Sequence, residues 1–454
     1  MGLSGTQHAR EQLFSLLGGL HQIMLVCPCS PSISPAFQIP PTDQVKTPAM
    51  LARLAAAAPR PADGAGDPAS DAALELGGNA NFLIAAARLG LDPAAAAHVG
   101  TDDYGAFASR ELGRAGVRLV GPLVEWSGDD DGESTINGSG LNGSGLNSAA
   151  NRRRRGEPYT GDTLVCYVLV DEHAPGGPRH AFCSRYDLGP HPLHVPASAS
   201  LSSSARLIMP GGSVPMRPRL APRAAAALAS ASTAFVNGFA FDELPAPAVL
   251  DALASVREGA AGSVLFDPGP RAPALAAAGT LDAALSAADV LLLTEEEAAG
   301  VTGEADPATA ARVLLARHGP QAGGAVTAVF VKRGPAGAVL VMAGDAGAAH
   351  ARTAPSITAR DTVGCGDSFA AAVALARSVG APPQVTLALA NAVGAATALS
   401  PGAGRNVATP ADAAALLRRD AGSDRAAADA LKLLAASLGA ARVRRGAGGA
   451  AGVV

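Results

Sequence analysis

The sequence predicts a three-layer α/β/α sandwich, a mostly parallel central sheet between two layers of helices, with a small β-sheet lid. Three observations carry that expectation. From Thr233 onward, short apolar runs alternate with Ala-rich amphipathic helices in the doubly wound manner. Glycine turns at Gly77 and Gly364 lead straight into helices. In the middle of the chain, two β-rich runs flank a Pro-Gly-Gly turn. The 454 residues suffice for one large domain or two ordinary ones. Hydrophobic content is 48% with only 4% aromatic residues, so Ala, Leu and Val must build the core. A formal net charge of -4 argues against a general nucleic-acid binder. Five scattered cysteines fit a reducing compartment better than a disulfide framework. No apolar run reaches membrane-span length, which leads us to expect a soluble protein of the cytoplasm or chloroplast with no membrane partner.

Residues 1–37 are read as an N-terminal extension of uncertain structure. Leu13–Leu20 and Gln22–Val26 are apolar, but Glu11 and the prolines from Pro28 to Pro35 spoil a secretory-signal pattern. Cys27 and Cys29 have no matching Cys or His pair and are incidental. The main domain is expected over 38–420, with a lid at about 118–190 and an Ala/Gly/Arg-rich tail at 421–454, helical at most to Gly439. Asp71–Gly90 reads as a short apolar run, a glycine turn and an amphipathic helix. Residues 128–158 are dominated by Gly, Ser, Asn and Asp and close on Arg152–Arg155, a composition that cannot bury a core and reads as a disordered insertion. Thr163–Val170 and Arg179–Ser184 are the two lid strands. Arg185 and Asp187 follow them as candidate substrate contacts, with surface charge as the equal alternative.

The chemistry concentrates in Asp361-Thr-Val-Gly-Cys-Gly-Asp367. Gly364 and Gly366 let successive N–H groups converge on an anion, and the helix N-terminus behind them adds its own donors and dipole. Asp367 beside such a cradle has two readings, a helix cap or the base that takes a proton from an attacking hydroxyl. Cys365 is a reactive thiol or a small filler.

This string resembles the D-T-x-G-A-G-D signature of the PfkB (ribokinase-like) family of sugar and nucleoside kinases, close to plant and algal members of unassigned substrate. The resemblance implies a ribokinase-like fold, ATP and Mg²⁺ as cofactors, Asp367 as base, and Gly364, Cys365 and Gly366 as the anion hole. Gly77, Gly78, Asn79 and Asn81 resemble the family's N-terminal sugar motif, one residue shortened. Thr294 and Glu297 resemble its N-x-x-E motif, with Thr in place of Asn. Lys332, Gly334 and Gly337 resemble the nucleotide loop, and Asn391 aligns with the adenine-side position. Lys332 is equally read as an ordinary strand-end lysine. By position, Asp361, Val363, Thr397, Ser400, Gly402 and Asn406 would hold K⁺. The family's lid can also carry a homodimer contact. One departure stands out: members begin with a strand bearing a sugar-gripping Asp. Here the only candidate, Ile23–Cys27, is followed by prolines with no acid before Asp43. Either that strand and ligand are lost or the chain's start differs from the functional gene product. The reading is an ATP-dependent kinase of a sugar or related small alcohol; the alternative is a catalytically inactive kinase-like subunit of a larger assembly. A dehydrogenase is disfavoured because no strand is followed by G-x-G-x-x-G.

Overall fold

A computed structural model describes residues 12–19, 23–28, 74–98, 102–121, 124–128, 165–171, 179–183, 200–201, 207–208 and 216–449, except 260–261, 346 and 402, with parts of 49–54. Among the described residues the main sheet has nine strands, in the order Ala349–Arg352, Ala338–Met342, Ala328–Lys332, Val290–Thr294, Ser263–Asp267, Thr233–Asn237, Gln12–Gly19, Asp92–His98 and Arg118–Gly121. Its parallel part comprises β1 (Gln12–Gly19), β4 (Asp92–His98), β5 (Arg118–Gly121), β12 (Thr233–Asn237), β13 (Ser263–Asp267), β14 (Val290–Thr294) and β15 (Ala328–Lys332). The edge hairpin β16 (Ala338–Met342) and β17 (Ala349–Arg352) is antiparallel. Alternation along each strand sorts side chains between the helix layers, as a period of two requires. Phe235, Leu265, Leu292 and Phe330 join one buried cluster. Val236, Phe266, Leu293 and Val331 join the other. The expected α/β/α sandwich is therefore the observed one.

Two four-stranded sheets accompany it. One runs β6-β11-β10-β9, from β6 (Val124–Gly128), β9 (Ser200–Leu201), β10 (Leu207–Ile208) and β11 (Met216–Leu220). The other runs β3-β2-β7-β8, from β2 (Ile23–Pro28), β3 (Leu74–Leu76), β7 (Val165–Asp171) and β8 (Arg179–Cys183). The strands expected near 163 and 179 are there, in a small sheet, and the small sheets reach beyond 118–190. Arg118–Gly121 pairs within the main sheet, and β2, β3 and β9–β11 extend the small sheets on both sides. The insertion expected at 128–158 lies, beyond Gly128, outside the described residues.

Two boundaries change. The N-terminal segment is not a mere extension: Gln12–Gly19 lies in the main sheet between β4 and β12. Ile23–Pro28, the sequence candidate for the first strand, pairs instead with β7 and β3. The tail is not loose either. Arg425–Gly449 is one helix, and Leu434 and Ala430 on it are buried. Ala, Leu and Arg are strong helix formers, so the run passes through Gly439. Ser437 Oγ donates to the Leu89 carbonyl at 2.7 Å, docking this helix on the end of the helix Asn79–Arg88.

Candidate active site

In a parallel sheet all strands end on one edge, where ligands of open α/β folds bind. The register puts Asn237 beside Asp267 and Thr294 beside Lys332 at that edge. Two helices bring their N-termini to the same place. Asn79–Arg88 packs on β12 through Phe82 stacked on Phe235, centroids 4.1 Å apart. Cys365–Ser378 packs on β15 through an edge-to-face contact of Phe369 with Phe330 at 5.9 Å. The glycine signatures at Gly77 and Gly364 thus meet. Asn81 Nδ2 donates to Asp367 Oδ2 at 2.9 Å, and the Gly404 N–H donates to Asn81 Oδ1 at 2.7 Å.

Gly364 has φ 78°, a left-handed conformation that costs a side chain and suits glycine. A Cβ at Gly366 would stand 3.4 Å from Lys332 Nζ, so the turn and this ammonium share one concavity. The Cys365 N–H donates to the Thr362 carbonyl at 3.3 Å. The first-turn N–H groups of Gly366 and Asp367 have no such acceptor among the described residues, which centres the cradle one residue later than the sequence suggests.

The charges around it explain one another. Lys332 Nζ lies 2.5 Å from Asp267 Oδ2. Burial pulls the lysine's pKa down, but Asp267, Glu297 and Asp367 outweigh it and hold the ammonium above its usual value. Glu297 is raised by burial and by Asp267, against Lys332. The Asp367 carboxyl is pushed up to about 6, by burial first; Asp267 adds to this, while the Asn81 hydrogen bond and Lys332 oppose it. Burial first, and then Asp361 and Asp367, drive the Cys365 thiol up to about 12. That disfavours the thiolate a reactive cysteine needs and so favours the small-filler reading of Cys365.

Other predicted residues carry structural duties. Asn81 is buried, and both ends of its amide are committed to protein, so it holds Asp367 rather than presenting itself to a hydroxyl. Thr294 and Glu297 form a reciprocal capping box on the helix Glu295–Thr302. Gly334 and Gly337 shape the tight turn between β15 and β16, and a Cβ at Gly337 would sit 1.9 Å from the Arg352 carbonyl oxygen. Asn391 Nδ2 donates to the same carbonyl at 3.0 Å, tying its helix to β17. Asn79 is buried on the first turn of its helix.

The Asp361 segment does meet the turn after Thr397: the Arg360 and Asp361 N–H groups donate to the Ala398 carbonyl. Within that pair of loops Asp361 Oδ1 accepts from the Val363 N–H, and Thr397 Oγ1 accepts from Ala408. The Ser400 N–H donates to the Thr397 carbonyl, and Asn406 Nδ2 donates to Glu75. Gly402, Arg185 and Asp187 lie outside the described residues.

Sequence reasoning missed Asp267 as part of the site, although its position at a strand end before Pro-Gly-Pro was the available signal. It also missed buried Glu75, which pairs with Arg405 at 3.1 Å and Asn406 at 3.1 Å.

The residues fit a nucleotide phosphate with Mg²⁺. Asn237 Oδ1, buried beside Asp267, has no hydrogen-bond partner among the described residues, and Lys332 and the helix N-terminus supply positive potential. No three His, Cys, Asp or Glu side chains among the described residues converge as a metal cage. Mg²⁺ keeps waters and phosphate oxygens and takes one or two carboxylates; Asp267 and Glu297 are those available.

Comparison with known proteins bears on the fold that carries this site. Residues 207–410 match the pfkB family carbohydrate kinase model. An Arabidopsis thaliana ribokinase complexed with ribose and ATP aligns over 89% of this chain and 97% of its own, at 15% identity and TM-score 0.53. The adenosine kinase of Sinorhizobium meliloti aligns over 87% and 95%, at 14% identity and TM-score 0.55. An Escherichia coli structure described as a ribokinase II with ATP and Mg²⁺ aligns over 90% and 99%, at 18% identity and TM-score 0.55. A search of curated proteins gave no match. The chain carries a pfkB-family domain, and its fold is ribokinase-like.

Proposed function

We propose that this protein is an ATP-dependent phosphotransferase acting on an alcohol group of a sugar, nucleoside or related small molecule. The observation that carries the reading is Asp367, a carboxyl pushed up to about 6, set in the first turn of a helix that begins beside the Lys332 ammonium. Bound ATP with Mg²⁺ would supply the phosphoryl group and neutralise its developing charge. Asp367 accepts the alcohol proton as the oxygen attacks. Asn81 occupies one carboxylate oxygen and fixes the plane of the other. The N–H groups of Gly366 and Asp367 and the Lys332 ammonium stabilise charge on the phosphoryl oxygens. Asp267 holds Lys332 in place and, with Glu297, faces the cation side. The small sheets supply the lid that excludes water from the transfer.

The similar structures solved with ribose and ATP, and with ATP and Mg²⁺, support this choice of substrates. K⁺ would bind where the Asp361 segment meets the Ala398 turn, stiffening the cradle. The decisive experiment screens sugars and nucleosides for Mg²⁺-dependent ADP release. Turnover on at least one alcohol is expected. Binding of nucleotide without turnover on any of them would favour the inactive-subunit reading.

A further inference from the structure

A cavity of about 870 Å³ opens on the helical side of the molecule. It lies between the helices Asn79–Arg88, Asp103–Ala115, Pro410–Asp420 and Arg425–Gly449. Five arginines line it, Arg88, Arg114, Arg405, Arg418 and Arg442, against the single acid Glu111. That concentration is unexpected in a chain with 35 basic and 39 acidic side chains. Glu111 is already engaged by Arg114 at 2.7 Å and Arg110 at 3.2 Å. Arg405 is paired with Glu75. Arg418 and Arg442 are exposed and have no carboxylate partner among the described residues. Arg88 is half-buried and donates to the carbonyls of Val407 and Arg405 rather than to an acid. Burial lowers its pKa, with Asp412 and Glu75 opposing from a distance. Leu431, Leu434 and Leu438 give the cavity an apolar wall on the helix Arg425–Gly449, which also carries Arg442 towards its end.

We propose that this cavity binds a phosphorylated organic metabolite: the arginines take the phosphate and the leucine wall takes the organic body. Guanidinium forks from several elements match phosphate oxygens bidentately, and one anion would neutralise Arg418 and Arg442, which have no carboxylate partner among the described residues. Size and chemistry agree, since pockets for small ligands typically span about 300–1,000 Å³ and combine apolar walls with a few charged groups.

The site also has a route to the catalytic helix. The carbonyls that hold Arg88 belong to the 404–407 turn, and the Gly404 N–H of that turn fixes Asn81, which holds Asp367. Arg88 and Asn81 lie on one helix, seven residues or about 10 Å apart at 1.5 Å per residue. Occupancy of the cavity therefore acts on the same turn that orients the base, through positioning residues that touch no substrate.

The test is calorimetric titration of the full chain with pyrophosphate and with fructose 1,6-bisphosphate. Wild type is compared with R418E/R442E and with R118E/R223E, which carries the same charge change on other elements. Both changes are at exposed positions, so folding should survive, and thermal melts check it. Affinity at least tenfold weaker in R418E/R442E alone is expected. Equal isotherms in all three proteins, or equal weakening in both variants, would overturn the site. Binding of a glutamate-rich peptide but of neither phosphate compound would overturn the ligand class. These readouts need no turnover, so they stand or fall separately from the kinase assignment. With activity in hand, pyrophosphate should change wild-type turnover at least twofold more than that of R418E/R442E; equal responses would overturn the coupling.

Discussion

The two sides of Asp367 are built by different means. On the side proposed for the phosphate, Asp267, Thr294 and Lys332 stand at the ends of parallel strands, and the ladder itself sets their spacing. On the side proposed for the alcohol, Asn81 is joined to Asp367 and to Gly404 by one hydrogen bond each, while Glu75 holds the same turn through several bonds to Arg405 and Asn406. A ladder is redundant, and losing one side chain leaves its geometry intact. A chain of single bonds is not redundant, and each link is exposed to substitution or to a neighbouring ligand. The phosphate side should therefore tolerate conservative changes that uncouple the alcohol side.

The largest expected effect lies where the sides meet. Asp367→Asn keeps size and hydrogen bonding but cannot accept a proton, so turnover should fall ~10²–10⁴-fold while nucleotide affinity holds. A mere helix cap predicts almost no change, because Asn caps nearly as well as Asp; turnover and ATP affinity measured after matched melts decide. Next is Lys332→Met. It strands Asp267 and Glu297 without their cation, so we expect a lower melting temperature and weaker ATP binding, partly restored by adding Asp267→Asn. No restoration would mean that the pair is not the working unit.

A third prediction reads the alcohol side by pH. The base works deprotonated, so kcat/KM should rise with pH through a midpoint near the folded value of about 6. Asn81→Ala removes a bond that lowers this pKa, so the midpoint should move upward as kcat falls. The sign for stability is opposite: a carboxyl whose folded pKa is raised favours the fold while protonated, and that contribution is lost as pH rises from 3.8 to about 6. A pH profile of the variant that overlies wild type would detach Asn81 from the base. The smallest effect belongs to Thr294→Ala, which removes one half of a capping box and should cost ~1 kcal/mol in melts, with catalysis little changed.

The legible parts of the molecule are those written contiguously. Asp361–Asp367, the helix after Gly77 and the strands from Thr233 to Lys332 each carry their own local pattern, and each is where the sequence places it. What stayed hidden depends on partners far along the chain. Gln12–Gly19 has no alternating or β-branched pattern and becomes a strand because β4 and β12 flank it. Asp267 looks like any acid after a strand until Lys332 arrives 65 residues later. Glu75 acquires meaning only with Arg405, 330 residues away. The C-terminal helix reads as a low-complexity tail because the contact that docks it, Ser437 on the Leu89 carbonyl, is with a residue far back in the chain.

The place of β1 has a consequence for how the protein is made. Its partner β12 begins at Thr233, so this interior strand waits for a neighbour more than 200 residues downstream. At ~5–20 residues per second, a ribosome needs on the order of 10–40 s to supply it. Through that interval one hydrogen-bonding edge of β1 stays unmatched, although β4 emerges early enough to cover the other. Such non-local pairing slows folding and leaves a nascent chain open to wrong partners. Slowing translation between β4 and β12 should thus lower the soluble yield of this protein more than slowing it after Lys332.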